Sequence, residues 1–492
     1  MSVASTTSEV DVLIIGGGPV GVTGALLLAK HSLSVVVAER EAGIYPLPRA
    51  AHIDHEAMRI FQAAGVADDV LATTREAGRY DFLNAAGDVL MRIETGQGDT
   101  ASGWPASNMI HQPSIERLLD EAVAANPHTE IRRLWALVDL SADEEAVTAH
   151  FDTPEGHQTI RAKYLLGCDG ANSTTRQLAN IENDDLDFNE SWLVIDTIVK
   201  DPSRLPDCNL QICDPARPTT CVLMGNGRHR WEFMLLPGDT AEHMQKPETI
   251  EALMAPWRVD GAVEIERMAV YQFAAALAKN WRQDRILLAG DAAHLMPPFA
   301  GQGLCSGLRD VDNLAWKLAL IIQHGADAAL LDSYQLEREP HVRAVIDLAI
   351  MMGQMVCVSD PEAAAARDAD LMAQREQNGD ASGAMAFPPL LAGTILEGSA
   401  QAGMLFPQVD RLDDIIGPGA CLIAKADLSG ALPIHYMALD DERLKTARDD
   451  IEDWLDAHQA TAVLVRGDKY VFGTGESAAL AAAFGSALGL EH

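Results

Sequence analysis

Residues 10–40 constrain the fold more tightly than any other stretch. Val10 to Ile15 is a short apolar run with β-branched content, the pattern of a parallel strand buried on both faces. Gly16-Gly17-Gly18-Pro19-Val20-Gly21 follows at once, then a helical pattern from Val22 to Lys30. A second β-branched run, Leu33 to Ala38, ends in Glu39-Arg40. Strand, glycine turn, helix and second strand with an acid at its end form a βαβ unit carrying a dinucleotide-binding fingerprint. Gly16 makes the tight turn. Gly18, beside Pro19, lets the backbone approach a pyrophosphate at the helix start. Gly21 lets helix and strand pack closely, and Glu39 is placed to hold ribose hydroxyls.

The fingerprint alone fits FAD or a nicotinamide dinucleotide. The choice comes from a second stretch, Gly290-Asp291-Ala292-Ala293-His294-Leu295-Met296-Pro297-Pro298-Phe299-Ala300-Gly301-Gln302-Gly303. It follows a strand-like run, Arg285 to Ala289, and precedes a helical pattern from Leu304 to about Ile322. Its prolines and glycines predict a rigid loop that allows close backbone approach. The helix start carries partial positive charge and suits an anion such as the pyrimidine edge of a reduced flavin. Asp291 is placed to accept hydrogen bonds from a sugar-like hydroxyl. An enzyme holding only a nicotinamide cofactor needs no such loop, and no second Gly-x-Gly-x-x-Gly occurs. The one fingerprint therefore serves FAD, and a nicotinamide coenzyme must bind without a Rossmann unit of its own.

Three further sites are ambiguous by residue type. Arg49, in Pro46-Leu47-Pro48-Arg49, suits a phosphate by its fork of donors but is otherwise an ordinary surface arginine. Gln112 sits at a helix start, His111-Gln112-Pro113-Ser114-Ile115-Glu116, where a capping residue is expected. Asp169 ends a buried run, Tyr164 to Cys168, in an Asp-Gly turn that continues to Arg176.

Taken in order, the motifs near residues 16, 169 and 291 resemble those of the single-component FAD-dependent aromatic hydroxylases, the family of p-hydroxybenzoate hydroxylase. The likeness is densest over residues 10–60, 105–180 and 265–350. Ile53-Asp54-His55-Glu56-Ala57, Phe233-Met234 before Pro237-Gly238, and Asn313 to Ala319 draw it toward the hydroxyphenylpropionate hydroxylases of that family. The resemblance implies an α/β fold. A Rossmann-like FAD-binding domain would take 8–75, 105–180 and 270–355, and an inserted, mostly antiparallel β-sheet substrate domain 76–104 and 181–269. A linker over 356–388 would lead to a thioredoxin-like C-terminal domain over 389–492, here without the redox cysteine pair. The resemblance also implies roles. Arg49 lies near the flavin and its pyrophosphate, Gln112 reaches the FAD, and Asp169 serves FAD and nicotinamide coenzyme. Gly16, Gly18, Pro19, Gly21, Glu39, Arg40, Asp291, Pro298, Gly301, Gly303 and Leu304 surround the rest of the cofactor.

Composition narrows the partners. With 37 Lys and Arg against 72 Asp and Glu, the formal net charge is −35. That disfavours a nucleic acid or an anionic membrane surface, both of which need a basic face. No apolar run reaches the ~18 residues of a membrane span. The first eleven residues are polar, with no signal-like segment, and the seven cysteines lack metal or disulfide spacing. A cytoplasmic protein with free thiols and no metal is expected.

The activity implied is hydroxylation of a phenol. NADH or NADPH reduces FAD, O₂ adds to give a flavin C4a-hydroperoxide, and OH passes to a ring carbon ortho or para to the phenol oxygen. A flavin dehydrogenase or oxidase without oxygen transfer, and a flavin-binding sensor without turnover, stay open as alternatives. So does a homodimer. Trp192, Phe233 and Tyr271 can line an aromatic pocket or serve as core. Arg230 is a candidate for a substrate carboxylate or a solvated strand arginine. His52, Tyr271 and His294 are the acid–base groups placed near the motifs, and none is assigned a catalytic role.

Overall fold

This computed structural model describes residues 7–46, 49–95, 98–382, 388–426, 428 and 430–490. Leu47 and Pro48 of the stretch around Arg49, the polar residues 1–6, and 383–387 of the expected linker lie outside the described residues.

The first sheet is built on the βαβ unit. Six of its eight strands run in the order Arg282–Gln283, Ile286–Leu288, Gly156–Gly167, Thr7–Ile15, Val35–Glu39 and Thr129–Arg133. The Thr7 strand pairs in parallel with both neighbours, Ile15 facing Gly167 on one side and Ala38 on the other. Val12, Leu13 and Ile14 are wholly buried, as an apolar strand covered on both faces requires. The helix Pro19–Lys30 crosses over between the two first strands and packs against the long helix Gly303–His324.

The second sheet has nine strands. Six carry the argument below: Val263–Ala278, Asn183–Val199, Arg228–Met234, Thr219–Met224, Asn209–Ile212 and Arg79–Leu83, adjacent in that order. Pairing is antiparallel except where Asn209–Ile212 meets Arg79–Leu83 and at the Ala381–Ser382 edge. The strand Val263–Ala278 runs across the expected boundary at residue 269. At its far end Ala276 and Leu277 pair with Leu295 and His294, so the Gly290 loop is hydrogen-bonded into this sheet while its preceding strand belongs to the first. The loop thus stands where the two sheets meet.

The stretch expected as a linker differs from expectation. Residues Pro361–Asn378 form a helix, started by Asp360, whose carboxylate accepts the Ala363 N–H at 2.8 Å. Arg367 donates to the carbonyls of Cys213 and Met355, pinning the helix to the second sheet and to the helix before it.

The C-terminal region holds a four-stranded sheet in the order His435–Ala438, Cys421–Ala424, Ala462–Val465, Val471–Gly475. The first pair is parallel and the other two antiparallel. Helices Arg448–Ala457 and Ser477–Ala487 accompany it. Buried ion pairs join it to the rest: Arg59 with Asp413 at 2.6 Å and Arg466 with Glu337 at 2.7 Å. No single helix among the described residues is long and apolar enough to cross a membrane.

Candidate active site

The glycine turn is fixed by its neighbours. Gly16 has φ +107°, and a Cβ there would stand 2.4 Å from the Cys168 carbonyl oxygen. A Cβ on Gly21 would stand 2.2 Å from the Gly16 carbonyl oxygen. Neither position admits a side chain, which is the steric reason for the sequence pattern. Nothing lies within 4 Å of the Cβ position of Gly18, and Pro19 opens the helix. The helix start has no side-chain cap and open space beside Gly18, which suits a pyrophosphate seat.

Glu39 ends the second strand. One carboxylate oxygen accepts the Gly17 N–H at 2.6 Å and the other the Glu41 N–H at 2.7 Å. A carboxylate has about four acceptor sites, so capacity for ribose hydroxyls is left. Arg40 is exposed and paired with Glu41 at 3.5 Å. The exposed Arg49 guanidinium stacks over Tyr45 at 4.5 Å and meets no carboxylate among the described residues.

Gln112 is buried and engaged with the chain. Its carbonyl accepts the Ala50 N–H at 2.9 Å, and its amide donates to Glu116 at 2.6 Å. It thus acts by holding the backbone beside Arg49. Asp169 takes the turn role: it accepts from the Ser173 hydroxyl at 2.5 Å and from the Thr175 N–H and hydroxyl at 2.9 and 3.1 Å. Arg176, at the end of that turn, donates to the Ala292 carbonyl at 2.8 Å and so ties the Asp169 turn to the Gly290 loop.

In that loop Gly290 and Gly301 both take positive φ. Asp291 is solvent-accessible and makes no hydrogen bond with any described residue. Its carboxyl nevertheless sits deep enough in the cleft for desolvation to push its pKa up, against the pull of His294 and Arg49. Pro298 starts a short 3₁₀ turn, and Gly303 and Leu304, both half-buried, open the long helix with no side-chain cap. Arg309 of that helix is buried against Asp54 and Glu56, which explains the acids in the Ile53 to Ala57 stretch.

Two acid–base candidates make contacts within the fold. His294 is wholly buried, with Nε2 2.7 Å from Asp310 on the long helix and Nδ1 without a partner among the described residues. His52 spans the Gly301 carbonyl and the Ser107 hydroxyl, each at 3.1 Å, and burial pulls its pKa down. It holds the loop in place.

Strand alternation sorts the substrate candidates, because opposite residues of paired strands share a face. Trp192 opposes Met234 and Tyr271, Val194 opposes Glu232, and Asp196 opposes Arg230 and Arg267. This face looks toward the loop, since the Trp192 ring stands edge-on to Phe299 at 5.7 Å and stacks on Phe273 at 6.1 Å. Tyr271 lies on it, and burial pushes its hydroxyl up to about 12. Phe233 does not: it pairs with Leu193 on the opposite face and packs with Trp231, Met244 and Ile250 as core. Arg230 is buried and engaged within the chain. It donates to Asp196 at 2.6 and 3.1 Å and to the Arg49 carbonyl at 2.6 Å. Asp196 and Glu232, both buried polar residues on this face, had no signal in the sequence beyond their place in strands.

The residues present fit FAD. They supply a glycine turn at a helix start, an acid at the strand end, a guanidinium that meets no described carboxylate, an unpartnered carboxylate in the cleft and a second helix start. A family model described as an FAD binding domain matches residues 9–349. Over 96% of its length the chain is 38% identical to a protein of Rhodococcus jostii (strain RHA1), a probable NADH-specific resorcinol 4-hydroxylase, of which it covers 93%. It is 33% identical, over 95% of this chain and 94% of the relative, to 3-(3-hydroxy-phenyl)propionate/3-hydroxycinnamic acid hydroxylase 2 of Burkholderia vietnamiensis (strain G4 / LMG 22486). In fold it is similar to the flavin-dependent monooxygenase PieE, solved with FAD and substrate, with TM-score 0.79 at 22% identity over 98% of this chain and 99% of that one. The glycine turn, the loop at the junction of two sheets and these relatives agree: the chain belongs to the FAD-dependent aromatic hydroxylase family.

Proposed function

We propose that the protein hydroxylates a phenolic ring ortho or para to an existing hydroxyl, consuming O₂ and NADH or NADPH. The observation that carries this reading is the Gly290 loop, shared between the nucleotide-binding sheet and an aromatic-lined face of the second sheet. FAD, when bound, supplies acceptance of two electrons from the coenzyme and activation of O₂. The chain supplies the rest. The helix start at Pro19 and Arg49 take the pyrophosphate, Glu39 a ribose, and Asp291 a hydroxyl of the sugar-like chain. Trp192, Phe273 and Phe299 keep water from the reacting ring, which limits loss of reducing equivalents as H₂O₂. With one glycine fingerprint in the chain, the nicotinamide coenzyme visits rather than resides. The name of the Rhodococcus relative supports NADH and a dihydric phenol.

We read residues 8–75, 105–180 and 270–355 as the FAD-binding unit and 76–104 with 181–269 as the substrate unit. The C-terminal unit is thioredoxin-like, a reading supported by its strand order and mixed pairing. Cys421 is its one cysteine in the sequence, so it serves packing rather than electron transfer.

The test follows coenzyme loss, H₂O₂ and hydroxylated product together across a panel of phenols. Coenzyme oxidation should be slow alone and accelerate with a suitable phenol, with product matching coenzyme. Flavin reduction equally fast with and without every phenol, and no hydroxylated product, would overturn the reading in favour of a dehydrogenase.

A further inference from the structure

The C-terminal region reaches the Gly290 loop through a line of buried side chains. Tyr470, in the turn between strands Ala462–Val465 and Val471–Gly475, donates its hydroxyl to Glu56 at 2.6 Å. The other oxygen of Glu56 accepts from Arg309 Nε, and Arg309 Nη2 donates to Asp54 at 2.5 Å. The remaining nitrogen, Nη1, donates to the Gln302 side-chain oxygen at 3.3 Å. All five residues are buried. One guanidinium here faces two carboxylates, so this set adds no net positive charge beside the loop. What it brings to Gln302 is orientation.

Gln302 stands between Gly301 and Gly303, as the residue that caps the start of the long helix. Arg309 can only donate, so it meets the amide oxygen, and this fixes which end of the planar amide is which. The nitrogen is left over. Gln302 is 1% exposed, and its Nε2 donates to no described residue. A buried amide with an idle donor is unusual and points to an acceptor supplied by a ligand. The helix start it caps suits the anionic pyrimidine edge of a reduced flavin. We infer that Gln302 donates its amide to the bound flavin, and that Tyr470 of the C-terminal region is a positioning residue for that contact, acting through Glu56 and Arg309. A hydrogen bond strengthens when its acceptor becomes charged. The contact therefore favours reduced over oxidised flavin and raises the two-electron potential. This role rests on FAD occupying the Gly290 loop, and it holds whichever phenol is hydroxylated.

The experiment measures the midpoint potential of the FAD-loaded full chain by equilibration with a reference dye. Gln302→Leu, close in volume, should weaken the preference for reduced over oxidised FAD about tenfold, a fall of about 30 mV for a two-electron couple. Tyr470→Phe should lower the potential by a smaller amount. In the double variant it should add nothing to Gln302→Leu, because both act through one amide. A Tyr470 that served packing alone would lower the unfolding midpoint and leave the potential where it was. Tyr470→Phe removes one hydroxyl and keeps the ring, and flavin content and unfolding midpoint establish that each variant is folded. A wild-type potential in folded Gln302→Leu overturns the flavin contact. A wild-type potential in Tyr470→Phe, or additive shifts in the double variant, overturns the positioning role. A wild type that takes up no FAD overturns the cofactor seat beneath both.

Discussion

The Asp310 carboxylate, carried on the Gly303–His324 helix, accepts the Gly290 backbone N–H at 3.0 Å and so fixes the turn from which Asp291 projects. The same oxygen meets His294 Nε2 at 2.7 Å, and the other accepts from Arg338 Nε at 3.0 Å. Burial alone would raise its pKa, but His294 and Arg338 hold it below the usual carboxylate range. Asp310→Asn keeps the shape and removes the charge, leaving Arg338 buried and uncompensated. We expect a loss of about 3–5 kcal/mol in the flavin-free protein, read by denaturant unfolding, together with weaker flavin retention. An unchanged unfolding midpoint would show that the turn is held by something else.

Asp291 should behave in the opposite way. It makes no hydrogen bond to any described residue, and desolvation disfavours its charged form, so Asp291→Ala should not lower the flavin-free stability. Flavin affinity should fall about ten- to a hundredfold, the cost of one charge-assisted partner. Titration of FAD into the stripped protein separates the two effects. Unchanged FAD affinity would remove Asp291 from the cofactor site.

What the sequence made legible is what sterics force. Gly16 and Gly21 have no alternative once strand and helix must touch, and the βαβ unit follows from them. The second sheet was harder because it is covered on both faces. The usual rule that polar strand positions face water therefore fails: Arg230 and Glu232 face inward, and Phe233 faces the helices behind. His294 looked pocket-bound because its partner, Asp310, stands sixteen residues on, beyond a loop and a helix start. The helix at 361–378 buries only Ala364 among its residues, so its low hydrophobicity reads as linker. Its capping signal, Asp360-Pro361, was present in the sequence all the same.

The C-terminal region should prove part of one cooperative structure. Arg466 is wholly buried, donating to Glu337 at 2.9 and 2.7 Å, to Asp468 at 2.6 Å and to the Thr394 carbonyl at 3.0 Å. Glu337 belongs to the helix Asp332–Val356 and also receives Lys317 at 2.8 Å. Arg466→Met leaves carboxylates buried with too few partners and should cost about 3–5 kcal/mol. Followed by two probes, one reporting flavin release and one reporting helix content, the variant should unfold in separated steps. A single transition at the wild-type midpoint would mean the pair contributes little to holding the regions together.

Asp312 sets a dependence on pH with a definite sign. It sits half-buried on the Gly303–His324 helix, and burial pushes its pKa up to about 7, helped by Asp468, Glu56 and Asp413 and opposed by Lys469. In the unfolded chain its pKa is the ordinary 3.8. Between these values the folded state binds the proton and the unfolded state does not, so this group's contribution to stability falls as pH rises from about 4 to about 7. Above that range the folded protein carries an ionised, poorly hydrated carboxylate at its full cost. Asp312→Asn is neutral throughout and escapes that cost. It should therefore be more stable than wild type at pH 8, with a gain of about 1.4 kcal/mol for every tenfold weakening of the acid on folding. The gain should shrink steadily as pH is lowered toward 4. Urea midpoints of the two proteins from pH 4 to 8 measure it directly. A constant difference across that range would show that Asp312 titrates as an ordinary surface carboxylate.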